Sequence, residues 1–462
     1  MASRCAQLKL TVLFLVGALT ALSGQAPAAG QTQAAGQAPA ETKPGPSFKE
    51  SDEIPEPLRQ ATFLFVWEKT RDEYYDPTFG GVDWSAVKEK YAPQIGDAKT
   101  SGLFHSLLGK MLGELGRSHL NILAPHQLTR EVKAAPEIRM TLEGVVLRVV
   151  EGRITVYSVQ QGSPAWQAGL RAGDVVLKAG DKPPAPEEDI KKRPARALAA
   201  ARGALSGETS TTAVLTILDE SGREKTVSVP LTAAFKDRAN LGRAVLEFRR
   251  IHPRVGYIWF DGWSFDLKAK LAGVLLGLWD ADGLIIDLRQ NRGGVNPGVD
   301  YLASKLNIEP GVLGVELSRN GERREWAYPG GGPAAYPGRV AILVDEASGS
   351  ASEVFAGAMQ EIGRAVILGR TSYGGVLNST QIPLPTGGVL QIARFDMTTA
   401  KGTRIEGRGV VPDIPVKISR ADLYRGKDTV IERAIAALVE GARKSSAYFI
   451  SLYPTWKTTA VL

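Results

Sequence analysis

The sequence predicts an α/β chain: a mainly parallel sheet from about residue 240 to the end, preceded by a helical segment and a β-rich insertion. Three observations carry this. From residue 240 onward, apolar runs such as "RVGYIWF", "GLIIDLR", "RVAILVD" and "AVILG" alternate with helical stretches such as "LKAKLAGVLLGLWD" and "SASEVFAGAMQEI". Continuous apolar strands joined by helical crossovers belong to parallel sheets buried on both faces. Residues 49–138 instead repeat apolar side chains at three- and four-residue spacing, the period of a helix. Residues 139–233 break into short β-rich runs bounded by turn residues.

The first 28 residues stand apart. Arg4 and Lys9 precede an apolar run reaching about Leu22, and small residues follow with Ala26-Pro27-Ala28. This predicts a signal peptide over 1–28, cleaved after Ala28, and a secreted or periplasmic chain with no integral membrane span left after cleavage. An uncleaved anchor is the weaker alternative, because the apolar run is short for a span. Cys5 is the only cysteine and lies before the apolar run, so the processed chain would form no disulfide. Residues 29–48 are small, polar and proline-bearing, a disordered linker by composition. The net charge of +7 comes with no basic cluster interleaved with aromatics, which argues against a nucleic-acid partner.

Residues 49–138 read as a helical N-terminal domain and 139–233 as a β-rich one, with a turn, a short helix and a second turn in "GSPAWQAGLRAGD" (162–174). The spaced Gly-Ser-Pro-Ala, Ala-Gly-Leu and Gly-Asp of 139–233 resemble a bacterial-type PDZ domain. The resemblance implies a groove that captures a peptide end by strand addition, with the approach strand near Leu142, Glu143, Gly144 and Val145. A small β-barrel that only packs on its neighbours is the alternative.

Over 240–462 the α/β core carries the candidate chemistry. "VDEASGSASEVFAGAMQE" (344–361) holds Ser348, Ser350 and Ser352 between an apolar strand and a helix. A serine at such a turn can project its hydroxyl, and the free amides of the helix start can stabilise an oxyanion. Serine is also a preferred helix N-cap, and Ser348 and Ser352 read as turn and cap residues, so the spacing alone does not choose. A second loop, "LIIDLRQNRGGVNPG" (284–298), ends a buried strand in adjacent glycines that permit close approach of backbone amides.

Together, "DLRQNRGG", "SGSASEVFAGAMQEIGRAVILGRTSYGG" and "GRGVVPDI", in this order behind the PDZ-like segment, resemble the C-terminal processing peptidases over about residues 50–420. The resemblance implies a crotonase-like core, Ser350 as nucleophile, and an oxyanion met by the amides of Gly293 or Gly294 and of Ala351. Many members pair the serine with a lysine in a Phe-Gly-Lys-Gly turn, yet here Gly375 holds that position. Of the four histidines, His119 stands in "GELGRSHLNIL", and this stretch resembles the tricorn-type branch. That branch implies His119 as base, assisted by Ser118 and by Glu406 of "IEGRGVVPDI". Lys401 is the fallback base. The histidines lack metal-ligand spacing, so no metal or cofactor is expected. The expected partners are protein or peptide substrates; oligomeric state stays open. A non-catalytic binding protein, like the retinoid-binding proteins this fold resembles, and a PDZ adaptor with an inert core are the competing readings.

Overall fold

A computed structural model describes residues 48–125, 138–142, 144–205, 211–235 and 244–452. The expected signal peptide, all but Phe48 of the expected linker, His126 and Glu143 lie outside the described residues.

Three helices open the described chain: α1 (Glu56–Glu73), α2 (Trp84–Tyr91) and α3 (Ser101–Gly113). Asp83 caps α2 by accepting from the amides of Ser85 and Ala86, both at 3.0 Å. Strand β1 (Asn121–Leu123) follows. The β-rich insertion runs through β2 (Ile138–Thr141), β3 (Val145–Val150), β4 (Arg153–Val159), α4 (Pro164–Gln167), β5 (Val175–Ala179), α5 (Glu187–Lys192), α6 (Pro194–Ala204), β6 (Thr212–Leu218), β7 (Glu224–Pro230) and β8 (Thr232–Phe235). Its five-stranded antiparallel sheet has the order β3-β4-β5-β6-β7, with β3 at an edge, while β2 and β8 pair where the chain enters and leaves.

The core comprises β9 (Leu246–His252), β10 (Val255–Phe260), α7 (Leu267–Gly277), β11 (Gly283–Asp287), α8 (Asn296–Leu306), β12 (Gly311–Ser318), β13 (Arg323–Tyr328), β14 (Arg339–Val344), α9 (Ala351–Glu361), β15 (Ala365–Gly369), β16 (Asn378–Pro383), β17 (Val389–Thr398), β18 (Ile414–Pro415), α10 (Arg420–Tyr424) and α11 (Thr429–Leu452). Six strands order as β18-β15-β14-β11-β10-β9, all parallel except the β9–β10 pair. The apolar runs are explained by two-sided burial. Leu284, Ile286, Ile342 and Val344 pack with α7, α8 and α9, whereas Ile285, Ala341 and Leu343 pack with Val430, Ala434 and Leu438 of α11.

A second, antiparallel sheet has the order β1-β17-β12-β13, with β16 also on β17. It ties the N-terminal helices to the core. Leu390 and Ile392 of β17 are buried with Phe63, Val66, Phe104 and Leu108, while Met397 at its other end joins the main core. The helical segment therefore shares its hydrophobic cluster with strands more than two hundred residues later. β1 then delivers the 116–120 turn to the same sheet, and that placement brings the expected histidine into the core.

Candidate active site

The carboxyl ends of the adjacent parallel strands β11 and β14 carry the two loops singled out above, the place where α/β sheets bind ligands. The loops are laced together. The Ser348 hydroxyl donates to Leu288 O (2.7 Å) and accepts from the Asp345 amide (3.0 Å), and the Gly349 amide donates to Asn291 O (3.0 Å). Ser348 is thus a turn residue. Ser352, expected as a cap, is instead buried and accepts from the Trp263 indole at 2.9 Å. The N-cap position of α9 belongs to Ser350, with φ 54° and ψ −122°. A non-glycine residue there is strained, by about 1–3 kcal/mol, and the strain matches a strand-to-helix turn that projects its side chain.

Gly293 and Gly294 have φ of 98° and 145°. A Cβ at Gly293 would lie 2.6 Å from the Ser350 Cβ and 2.9 Å from the Ala351 nitrogen, so only glycine permits this approach. The Gly293 amide donates to Asn291 Oδ1 at 3.0 Å. The amides of Gly294 and Ala351 donate to no acceptor among the described residues.

Ser118, His119 and Glu406 come together from opposite ends of the chain. Glu406 is buried and accepts from the Ser118 amide (3.0 Å), the Ser118 hydroxyl (2.9 Å) and the Val376 amide (2.8 Å). The Ser118 hydroxyl also lies 2.8 Å from His119 Nδ1. Its single proton goes to the carboxylate, so it accepts from Nδ1–H and leaves Nε2 as the basic nitrogen. Glu406 therefore reaches the imidazole through Ser118 and makes no direct bond to it. His119 holds a positive φ of 54°. Burial pulls its imidazole below the usual histidine value, and the charge of Glu406 offsets this only in part. Among the described residues no hydrogen bond joins His119 to Ser350.

The turn without the lysine lies between the two halves. The Ser350 amide donates to Gly375 O at 3.0 Å, and Val376, next in line, binds Glu406. A Cβ on Gly375 would meet the Tyr373 ring at 2.6 Å and the Ser118 Cβ at 3.1 Å. The room a lysine stem would need is filled by the histidine-bearing turn and by Tyr373. Lys401, the fallback base, is exposed and donates to Glu361 O at 3.1 Å. That carbonyl ends α9, about 15 Å along the helix from Ala351 at 1.5 Å per residue, so the fallback is withdrawn.

Sequence reasoning missed Glu353. Fully buried, it accepts from the amides of Ser350 (3.1 Å), Gly374 (2.6 Å) and Gly375 (2.9 Å) and from the Ser372 hydroxyl. Burial pushes its carboxyl above the usual range against the pull of these donors. The capping-box spacing Ser350-x-x-Glu353 was the signal that could have found it.

The insertion touches the same loops. Arg148 of β3 is buried in an ion pair with Asp345, whose Oδ1 accepts from the Gln290 amide at 2.9 Å. Gln290 Nε2 donates to Leu147 O of β3, and Arg202 of α6 donates to Gln290 Oε1, each at 2.9 Å. Of the expected groove residues, Leu142 and Val145 pack partly buried on the insertion's own core, and Gly144 has φ 73° where its carbonyl accepts from the Gln160 amide at 2.8 Å.

Comparison with known proteins agrees with this layout. Residues 254–416 match peptidase family S41, 55–113 match the tricorn protease C1 domain, and 155–205 match a PDZ domain. A carboxyl-terminal-processing protease of Synechocystis sp. is 27% identical over 84% of this chain and 89% of its own. Tricorn protease homolog 1 of Streptomyces coelicolor is 25% identical over 82% of this chain, which spans only 35% of that relative. Among solved structures, the photosystem II D1 C-terminal processing protease covers 78% of this chain and 93% of its own, with TM-score 0.54 and 22% identity. Mature CPAF covers 83% and 96%, with TM-score 0.60 and 14% identity; at such identities these two speak for the fold. The chain thus carries a peptidase family S41 core, a tricorn C1 segment and a PDZ domain, and it is similar to carboxyl-terminal-processing proteases and tricorn protease homologues.

Proposed function

We propose that this chain is an endopeptidase in which Ser350 forms an acyl-enzyme with His119 as its base. The observation that carries the reading is the Ser118 hydroxyl placed between His119 Nδ1 and Glu406 Oε2 at 2.8 and 2.9 Å, with Glu406 bonded to the Val376 amide and the adjacent Gly375 carbonyl accepting from the Ser350 amide. In the reaction, Ser350 Oγ attacks the scissile carbonyl and its proton passes to His119 Nε2. The amides of Ala351 and Gly294 receive the oxyanion, since the Gly293 amide is already given to Asn291 Oδ1. His119 returns the proton to the leaving amine, then takes one from the water that hydrolyses the ester. Ser118 and Glu406 hold the imidazole in the Nε2-basic tautomer and stabilise it when charged. The His119–Ser350 bond is expected to close on substrate binding, as such bonds often do. The PDZ domain, with β3 at a sheet edge, receives substrate ends or gates the site through Gln290 and Arg148. Reading residues 1–28 as a cleaved leader supports a secreted or periplasmic location; no helix of the described residues is long and apolar enough to cross a membrane.

Hydrolysis of an unfolded protein substrate tests this. Ser350→Ala abolishes it, and His119→Ala lowers it by roughly 10⁴-fold or more, as loss of a triad base does. Near-normal turnover in either variant refutes the assignment.

A further inference from the structure

The loop beside Ser350 carries a charge that the peptidase reading leaves unused. Arg292 is exposed, and among the described residues it makes no hydrogen bond or ion pair. Its carbonyl lies 3.6 Å from where a Cβ of Gly349 would stand, and the next residue, Gly293, is the one that packs against Ser350. Many exposed arginines elsewhere face a carboxylate: Arg71 pairs with Asp72, Arg254 with Asp282, Arg324 with Glu322 and Arg425 with Asp422.

Other cations gather at the same opening. Tyr373 covers Gly349 and Gly375 with its ring and is 54% exposed. Its phenol lies in the field of both Arg292 and Arg193, and Arg202 lies in the field of Arg292. Arg193 and Arg202 stand at the two ends of α6, and the Arg193 side chain is 63% exposed with only a 3.9 Å contact to Asp189. The carboxylates near Tyr373 do not neutralise them from outside, because Glu353 and Glu406 are buried and saturated with donors. Beside Ser350, Arg292 therefore presents an unpaired guanidinium to solvent among the described residues, with the loosely paired Arg193 in the same field, and a planar guanidinium is the side chain best matched to a carboxylate.

We propose that Arg292, supported by Arg193, forms a subsite for a substrate carboxylate beside the scissile bond. The preferred peptides carry an acidic side chain or their own free end close to the carbonyl that Ser350 attacks. This rests on the peptidase reading above and adds its substrate class.

The test measures binding in the full chain carrying Ser350→Ala, so that turnover plays no part. Three dye-labelled peptides share one sequence: one ends in a free carboxylate, one in an amide, and one in an amide with an internal aspartate. At least one carboxylate peptide binds about fivefold more tightly than the neutral amide, the upper range for an exposed ion pair. The gap disappears on adding Arg292→Gln, narrows with Arg193→Gln, and shrinks as salt is raised. The peptide that shows the gap identifies the source of the carboxylate. Equal binding of all three overturns the proposal. So does a gap that survives Arg292→Gln, which would place the carboxylate elsewhere, as on the β3 edge. Both substitutions are at exposed positions, and unchanged thermal unfolding checks that each variant folds. Hydrolysis by the unsubstituted chain is scored separately, so a failed peptidase reading is distinguishable from a failed subsite.

Discussion

Ser118→Ala is the most informative single perturbation. The hydroxyl makes two bonds, 2.8 Å to His119 Nδ1 and 2.9 Å to Glu406 Oε2. Its loss leaves Glu406 anchored by the amides of Ser118 and Val376, so the two chain segments stay joined. What disappears is the acceptor for Nδ1–H at the moment the imidazole becomes cationic. A hydrogen bond to a charged group contributes about 1.5–3 kcal/mol, which corresponds to a loss of roughly 10- to 150-fold in kcat. KM should move little, because the bond strengthens as charge develops and adds little to ground-state binding. Steady-state hydrolysis of a fluorogenic peptide, normalised by active-site titration, gives both constants. Combined with Glu406→Gln the loss should fall well short of additive, since both act through one chain of bonds. A Ser118→Ala enzyme within about threefold of the unmodified kcat, far less than the bond's contribution, would refute the relay.

Four further outcomes follow from the same geometry. The acid limb of kcat/KM should fall below about 6.5, the ordinary histidine value, because burial holds His119 neutral to lower pH; Glu406→Gln removes the upward pull and moves the limb further to acid. Gly293→Ala should abolish fluorophosphonate labelling and lower the melting temperature, since its Cβ would stand 2.6 Å from that of Ser350 at a φ of 98°. Gly375→Lys should inactivate, with no new high-pH activity, because its Cβ meets the Tyr373 ring at 2.6 Å and crowds Ser118. Arg148→Ala leaves Asp345 buried without its partner, at a cost of about 3–5 kcal/mol readable in chemical denaturation; burial lowers the arginine to about 10, so it is charged at neutral pH.

Much of the core was legible because its strands are buried on both faces. β10, β11, β14 and β15 read as unbroken apolar runs, and Ser350 and Gly293 lie where those runs end. Long-range consequences were not legible. Nothing local in "LRQATFLFVWEKTRDEYYD" says that its apolar face meets Leu390 and Ile392. The alanine-rich α6 and its neighbour α5 were hidden in a segment read as short strands with a single short helix at 162–174. The interposition of Ser118 between His119 and Glu406 depends on a loop closing across 288 residues of sequence. Ser352 looked like a cap because caps are serines, and only the fold brings the Trp263 indole to it.

The central claim, that Ser350 is a nucleophile activated by His119, is tested most directly by intact-mass and peptide mapping after treatment with a fluorophosphonate. The account predicts a single adduct on Ser350 in the unmodified chain, none in Ser350→Ala, and a strongly slowed reaction in His119→Ala. An adduct that persists in Ser350→Ala, or forms at full rate without His119, would contradict it.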